Sequence, residues 1–471
     1  MTSRAAQPSP LDDAPELCRL SAAALTRRYA DRSFSPVEAT AAALARAEAI
    51  QPRFNAFRHL DPEGALAAAR AAEARWQRGE PLSPLDGVPV TIKDIVWVRG
   101  WTVRYGTRTL PGVTAAEDAP AVALLRAAGA VLLGLTTTPE FGWKAVTDSA
   151  LTGITRNPWN AARTSGGSSG GAAVAAACGA GVLHLGTDGG GSIRIPAGFC
   201  GVVGHKPTFG RVPAYPASPF GTVAHLGPIA RSAADAALML QAMSGRDLRD
   251  WHQSPWPLPP VAPLAPRPLG GLRVAVWETP PHGTVAPDVR AAFTAALDAI
   301  ADAGAVLVRV TLPGEDLWEL FNLHWHSGAA ARLAGVPAGV LALVEPGLRA
   351  IAEAGARLSA IELIAAQGRR AAFGAAFDRM LADHDVLVSP AVAVAAFAAG
   401  EEVPPGSGLG RWTEWAGFSY PVNLAQAPAT VVPGGFVADG LPAGLQVVGR
   451  RGDDAGVLAV AEAMHVRLGG Q

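Results

Sequence analysis

The 471-residue chain has only three cysteines, Cys18, Cys178 and Cys200, odd in number and far apart. That spacing excludes a disulfide framework or a zinc ribbon, and the expectation is a reducing, cytoplasmic compartment. Excess charge of one sign is also missing: the formal net charge is −1, and no basic run or basic-aromatic stripe occurs. Nucleic acid is therefore not an expected partner. No stretch reaches the roughly 18 uncharged apolar residues of a spanning helix, so no membrane partner is expected. The N-terminus, MTSRAAQPSPLDDAPELCRL, lacks the basic and then apolar pattern of a secretory leader. Lysine is the scarcest charged residue, present only at Lys93, Lys144 and Lys206. Arginine does not deprotonate in a protein, whereas a buried lysine can. A lysine base must be one of these three.

Hydrophobic residues are abundant, at 49% against 17% charged, enough for a large core. Length alone suits two or three domains, although one large layered α/β unit can absorb it. Residues 1–13 are rich in Pro, Ser and Asp and read as a loose segment. Helical patterns follow to about residue 80. Ser35-Pro36-Val37-Glu38 has Ser as N-cap, Pro at the first helical position and the Glu of a capping box. Asp61-Pro62 opens a second helix in the same manner.

The β-branched run Gly87–Lys93 reads as a strand with Lys93 near its end. A helix over 119–129, a buried strand over 130–134, a small-residue helix over 172–178 and a short strand over 182–186 follow. Seven prolines between Pro255 and Pro268 mark a surface connection, about 254–270. Beyond it, strand Leu272–Trp277, a helix over 287–303 and strand Ala305–Thr311 suggest a right-handed βαβ crossover with parallel strands. Further strands are expected at 386–389, 429–432 and 444–448. The fold class is α/β, and residues 14–471 are read as one domain.

Two glycine-serine clusters carry the chemistry, at 165–171 and at 186–196. Either alone could be a plain glycine-rich turn. In the second, Gly189, Gly190 and Gly191 immediately precede Ser192. Glycines there let the backbone turn several N–H groups inward beside the serine hydroxyl, as an oxyanion hole requires. A serine hydroxyl needs a neighbour to take its proton, and none of the ten histidines stands in a triad-like context. His324 and His326 point apart on a helix with no acidic or cysteine ligand near them, so no metal is expected. Gly166-Gly167-Ser168-Ser169-Gly170 matches the G-x-S-x-G elbow of α/β-hydrolases literally. That motif needs a strand running into the serine, and Asn157–Thr164 reads as a loop.

GGSSGG at 166–171, GTDGGGSIRIP at 186–196 and VPVTIKD at 88–94 together resemble the amidase signature. The flanks agree: NPWNAARTSGGSSGG, CGVVGHKPTFGRVP, GPIARSAADAALML and GLPAGLQVVGRR, so the likeness spans nearly the whole chain. The resemblance implies a single mixed β-sheet covered by helices on both faces. It implies Ser192 as nucleophile, Ser168 as the bridging serine reached through a cis peptide from Gly167, and Lys93 as base. The backbone amides of Gly189, Gly190, Gly191 and Ser192 would form the oxyanion hole. Ser169, Thr187, Asp188 and Arg194 would support the site, with Asp188 and Arg194 paired. By position in such enzymes, the pocket candidates are Phe141, Gly142, Trp143, Arg211, Phe220, Trp412 and Trp415. Lys206 is expected to be structural and Lys144 partly exposed.

The family cleaves amides, lactams, urea derivatives and in some cases carbamates. The expected partner is therefore a small-molecule amide or carbamate, met by a monomer or homodimer that needs no cofactor. The rival within the family is the glutaminase subunit of a tRNA-dependent amidotransferase. Such subunits usually carry an acidic residue before the P-x-N-L stretch. Here Ala416–Tyr420 precedes Pro421-Val422-Asn423-Leu424, and Glu414 is the nearest carboxylate. A non-catalytic binding protein on the same fold would normally have lost Ser192 or Lys93, and both are present.

Overall fold

Short runs of aliphatic and β-branched residues supply the centre of the molecule. In the computed structural model, which describes residues 9–265 and 267–470, they assemble into one eleven-stranded sheet. Its first strands in chain order are β1 (Phe57–Leu60), β2 (Pro89–Lys93), β3 (Val131–Thr136), β4 (Leu183–Asp188), β5 (Val203–Lys206) and β6 (His225–Ala230). The second half contributes β7 (Arg273–Val276), β8 (Val306–Arg309), β9 (Val386–Pro390), β10 (Ala429–Phe436) and β11 (Pro442–Val448). The spatial order is β1-β3-β2-β4-β6-β5-β10-β11-β9-β7-β8. Strands from both sides of the proline segment thus share one sheet. The expected crossover is present, with β7 parallel to β8.

Alternation along the strands builds cores on both faces. Val274, Val276, Val386 and Val388 join one cluster with the helices at 233–243, 287–302 and 454–467. The intervening Ala275 and Leu387 face a second cluster containing Phe321, Trp325 and Trp412. Val431 faces a third, made with the helices Gly170–Cys178 and Arg194–Cys200. The sheet is therefore mixed and covered on both faces, as the family resemblance implies.

Local signals set the first helices. Ser35 forms the full capping box with Glu38, and Asp61 accepts from the Gly64 amide. Of the segment expected to be loose, residues 1–8 lie outside the described residues. Asp13 at its end pairs with Arg46 at 2.6 Å. In the proline segment Trp256 is 75% exposed, but Val261 is buried and ties the crossing to the core.

β2 and β4 are parallel neighbours, so their C-terminal ends come out side by side. Lys93 ends the first, and Thr187 and Asp188 end the second. Ligand sites of open α/β sheets form beyond such carboxyl ends, and the two glycine-serine loops meet there.

Candidate active site

Lys93 is fully buried, and its Nζ lies 2.6 Å from Ser168 Oγ, 2.9 Å from Ser169 Oγ and 3.0 Å from Thr187 Oγ1. Burial pulls its pKa well below the ordinary lysine value, with only a partial opposing pull from Asp188. Among the described residues no carboxylate pairs with it. Ser169 ties the two loops together: its amide donates to the Ser192 carbonyl at 3.1 Å and its hydroxyl to the Thr187 carbonyl at 3.1 Å. The Gly167–Ser168 peptide is cis. Behind it there is no room for a side chain, since a Cβ on Gly167 would fall 2.5 Å from the Val146 carbonyl carbon.

The loop that carries Ser192 is braced by a buried ion pair. Arg194 Nε meets Asp188 Oδ2 at 2.9 Å with both side chains at 0% exposure. Arg194 also donates to Gln446, Asn423 and the Ser419 carbonyl, so the guanidinium is bound on several sides. That neighbourhood holds the Asp188 carboxyl below the usual carboxylate range despite burial. Asp188 in turn accepts from the amides of Gly191 and Ile193, at 2.8 and 3.2 Å. This corrects the expected oxyanion cradle: the Gly191 amide is already committed to Asp188. Among the described residues no acceptor faces the amides of Gly189, Gly190 and Ser192. Ser192 and Ser168 both line one cavity, with no hydrogen bond between them.

That cavity measures about 180 Å³, room for a substituted aromatic ring, since an apolar hole of roughly 150 Å³ takes up benzene. Phe141, Gly142 and Phe220 line it as expected. Gly142 (φ +69°) brings its backbone against Ser168, whose Oγ would stand 3.3 Å from an added Cβ. The other expected pocket residues are elsewhere, held by partners in the interior. Trp143 donates to Glu345 at 2.5 Å, and Trp415 donates to the Glu402 carbonyl at 3.0 Å. Arg211 is held by Asp454 and by the Pro259 carbonyl. Trp412 packs edge-on to Phe321 and Trp325 and closes over Gly190.

Sequence reasoning missed Trp97, Tyr105, Tyr215, Trp325 and Arg332, which complete the cavity wall. Phe321 and Trp325 are four apart on the helix Leu317–Leu333, a spacing that reads as ordinary core. Both rings nonetheless back the glycine loop, Trp325 under Gly189 and Phe321 under Gly190. Nothing local distinguishes Arg332 from the chain's many other arginines.

The remaining lysines are separable by their partners. Lys144, expected to be partly exposed, is buried and paired with Asp148 at 2.6 Å and Glu345 at 3.2 Å. Lys206 donates to the carbonyls of Pro207 and Ala427 and lies 3.4 Å from His225 Nε2. Carbonyls can only accept, so Lys206 is a structural donor. Among the described residues no cluster of three or more metal-binding side chains occurs, and no helix is long and apolar enough to cross a membrane.

Comparison with known proteins agrees with this geometry. Residues 38–458 match the family model described as Amidase. A glutamyl-tRNA(Gln) amidotransferase subunit from Chloroflexus aggregans is 37% identical over 473 residues, covering 95% of this chain and 96% of that protein. An acylamidase of Rhodococcus erythropolis is 37% identical over 452 residues, with 94% of each covered. The crystal structure of a bacterial aryl acylamidase of the amidase signature family superposes with a TM-score of 0.87 at 28% identity, over 95% of this chain and 96% of that one.

Proposed function

The chain belongs to the amidase family, and on that premise we propose a free-standing acylamidase in which Ser192 attacks, Ser168 relays and Lys93 is the base. The observation that carries this reading is the set of three hydroxyls around a buried, unpaired lysine. A neutral amine has two N–H donors and one lone pair. Ser169 Oγ, whose own proton is directed at the Thr187 carbonyl, and Thr187 Oγ1 are suited to accept the two N–H bonds. The lone pair is then left for Ser168, the nearest of the three.

In the proposed cycle Ser168 passes its proton to Lys93 and takes one from Ser192 as Ser192 Oγ bonds to the carbonyl carbon. The carbonyl oxygen becomes an oxyanion and is received by the free amides of the glycine loop. A donor of this kind is worth roughly 3–4 kcal/mol in the transition state. As the intermediate collapses, the Ser168 proton goes to the departing nitrogen, because an amide anion leaves poorly. Water then attacks the acyl ester by the same relay and frees the acid. Ser168 and Ser192 make no hydrogen bond to each other, and contacts of this kind often tighten only with substrate.

Aryl carbamates fall within the proposal, since their carbonyl passes through a similar tetrahedral intermediate. Amine release from an acyl anilide and from its carbamate counterpart, by wild type and Ser192→Ala together, tests both parts. Release from either substrate that disappears with Ser192 supports the reading, and release that survives the substitution overturns the assignment.

The amidotransferase relative favours a second reading, a glutaminase subunit. Against it stands the cavity's charge: among the described residues Asp188 is the only carboxylic acid on its wall, and Arg194 already engages it. Glutamine would bring an ammonium with no acid to meet it. Ammonia release from glutamine outpacing amine release from anilides would turn the account to that reading.

A further inference from the structure

Among the described residues, three ionisable side chains other than tyrosines line the cavity: Asp188, His225 and Arg332. Two of them are already engaged. Asp188 is paired with Arg194. His225 Nδ1 lies 2.8 Å from the Val223 carbonyl while Lys206 Nζ approaches Nε2, which suits a neutral ring.

Arg332 is different. It ends the helix Leu317–Leu333, and its guanidinium carbon lies 4.1 Å from the centre of the Phe141 ring and 4.9 Å from that of Tyr105. Among the described residues no carboxylate pairs with it, and its Nε is buried without a hydrogen-bond partner. Contact with aromatic faces steadies a cation but leaves its in-plane N–H donors unused. A buried N–H with no acceptor is costly, and Nε is that group here, while the two terminal nitrogens are not buried in the same way. The aromatic faces hold the fork in place, so little side-chain freedom would be lost when an acceptor arrives.

We infer that Arg332 is a specificity residue, and that the preferred substrate is a monoanionic amide whose carboxylate it receives through two parallel hydrogen bonds. The inference rests on the acylamidase reading above and deepens it. The aromatic wall takes the apolar body of the substrate and Arg332 its charged end. With no free acid on the wall, a zwitterion gains nothing further, which separates this substrate class from amides such as glutamine that carry an ammonium as well.

The test compares acetanilide with two carboxylated relatives, succinanilic acid (charge on the acyl side) and 4-acetamidobenzoate (charge on the amine side). Wild type should favour one of the carboxylated amides in kcat/KM. Arg332→Gln should lower kcat/KM for that amide at least tenfold more than for acetanilide, chiefly through KM, with partial recovery in Arg332→Lys. Equal losses on charged and neutral amides, or no preference in wild type, would overturn the inference. Binding of the same two carboxylates to Ser192→Ala, with and without Arg332→Gln, is read separately by calorimetry. Should no anilide be cleaved at all, the acylamidase reading fails. Binding of a carboxylate that depends on Arg332 would still support the subsite, and binding indifferent to Arg332 would sink it.

Discussion

Lys93, the proposed base, opposes stability. Burial lowers its pKa in the fold well below the ordinary lysine value of 10.5, so between the two values the unfolded chain binds a proton that the folded chain releases. Stability rises with pH wherever the unfolded state holds more protons. Lys93→Met removes this linkage. Wild type should therefore gain stability relative to Lys93→Met as pH rises from the folded pKa towards 10.5, as read from melting temperatures across pH. A difference that stays flat would mean that Lys93 is charged in the fold. The same substitution should lower kcat by roughly 10²–10⁴-fold, the usual contribution of a general base. Lys144→Met should retain more activity, because Lys144 is occupied by Asp148 and Glu345.

Among the elements, the glycine loop between β4 and the helix Arg194–Cys200 is the most constrained. Gly191 has φ +129°, and a Cβ there would stand 2.6 Å from both Ile195 and Ser419. Gly191→Ala should therefore displace the loop and lower kcat by at least tenfold while KM changes less, since the neighbouring amides act on the transition state. Unchanged kinetics would show that the loop has slack. This element was legible because the glycines before Ser192 stand beside two further motifs of the amidase signature, whereas alone they could be a plain glycine-rich turn. Most strands were legible as buried β-branched runs bounded by glycine and proline, whereas β1, β5 and β6 lack that pattern and were not read. Less could be read where partners come from afar. Trp143, Arg211 and Trp415 carry polar groups satisfied by Glu345, Asp454 and the Glu402 carbonyl, contacts that no local pattern encodes. Arg332 was invisible in a chain whose cations are nearly all arginine, and it acquires meaning only beside Phe141 and Tyr105.

At the scale of the whole molecule, one sheet brings a lysine from residue 93 and two serine loops from the next hundred residues to the carboxyl ends of neighbouring strands. The second half of the chain contributes no group to the proton relay. It supplies Asn423 and Gln446 to fix Arg194, Phe321 and Trp325 to back the glycine loop, and Arg332 to the cavity. The proposed relay and most of the cavity wall thus come from the first half of the sequence, and the second half adds Trp325 and Arg332 to that wall.

The central claim is that Ser192 carries the acyl group. Brief exposure of the purified chain to a 4-nitrophenyl acyl ester, followed by acid quench and peptide mapping, reads this directly. The account predicts the acyl group on the peptide containing Ser192, and none there in Ser192→Ala. An acyl group found instead on Ser168 or another residue of wild type would contradict it.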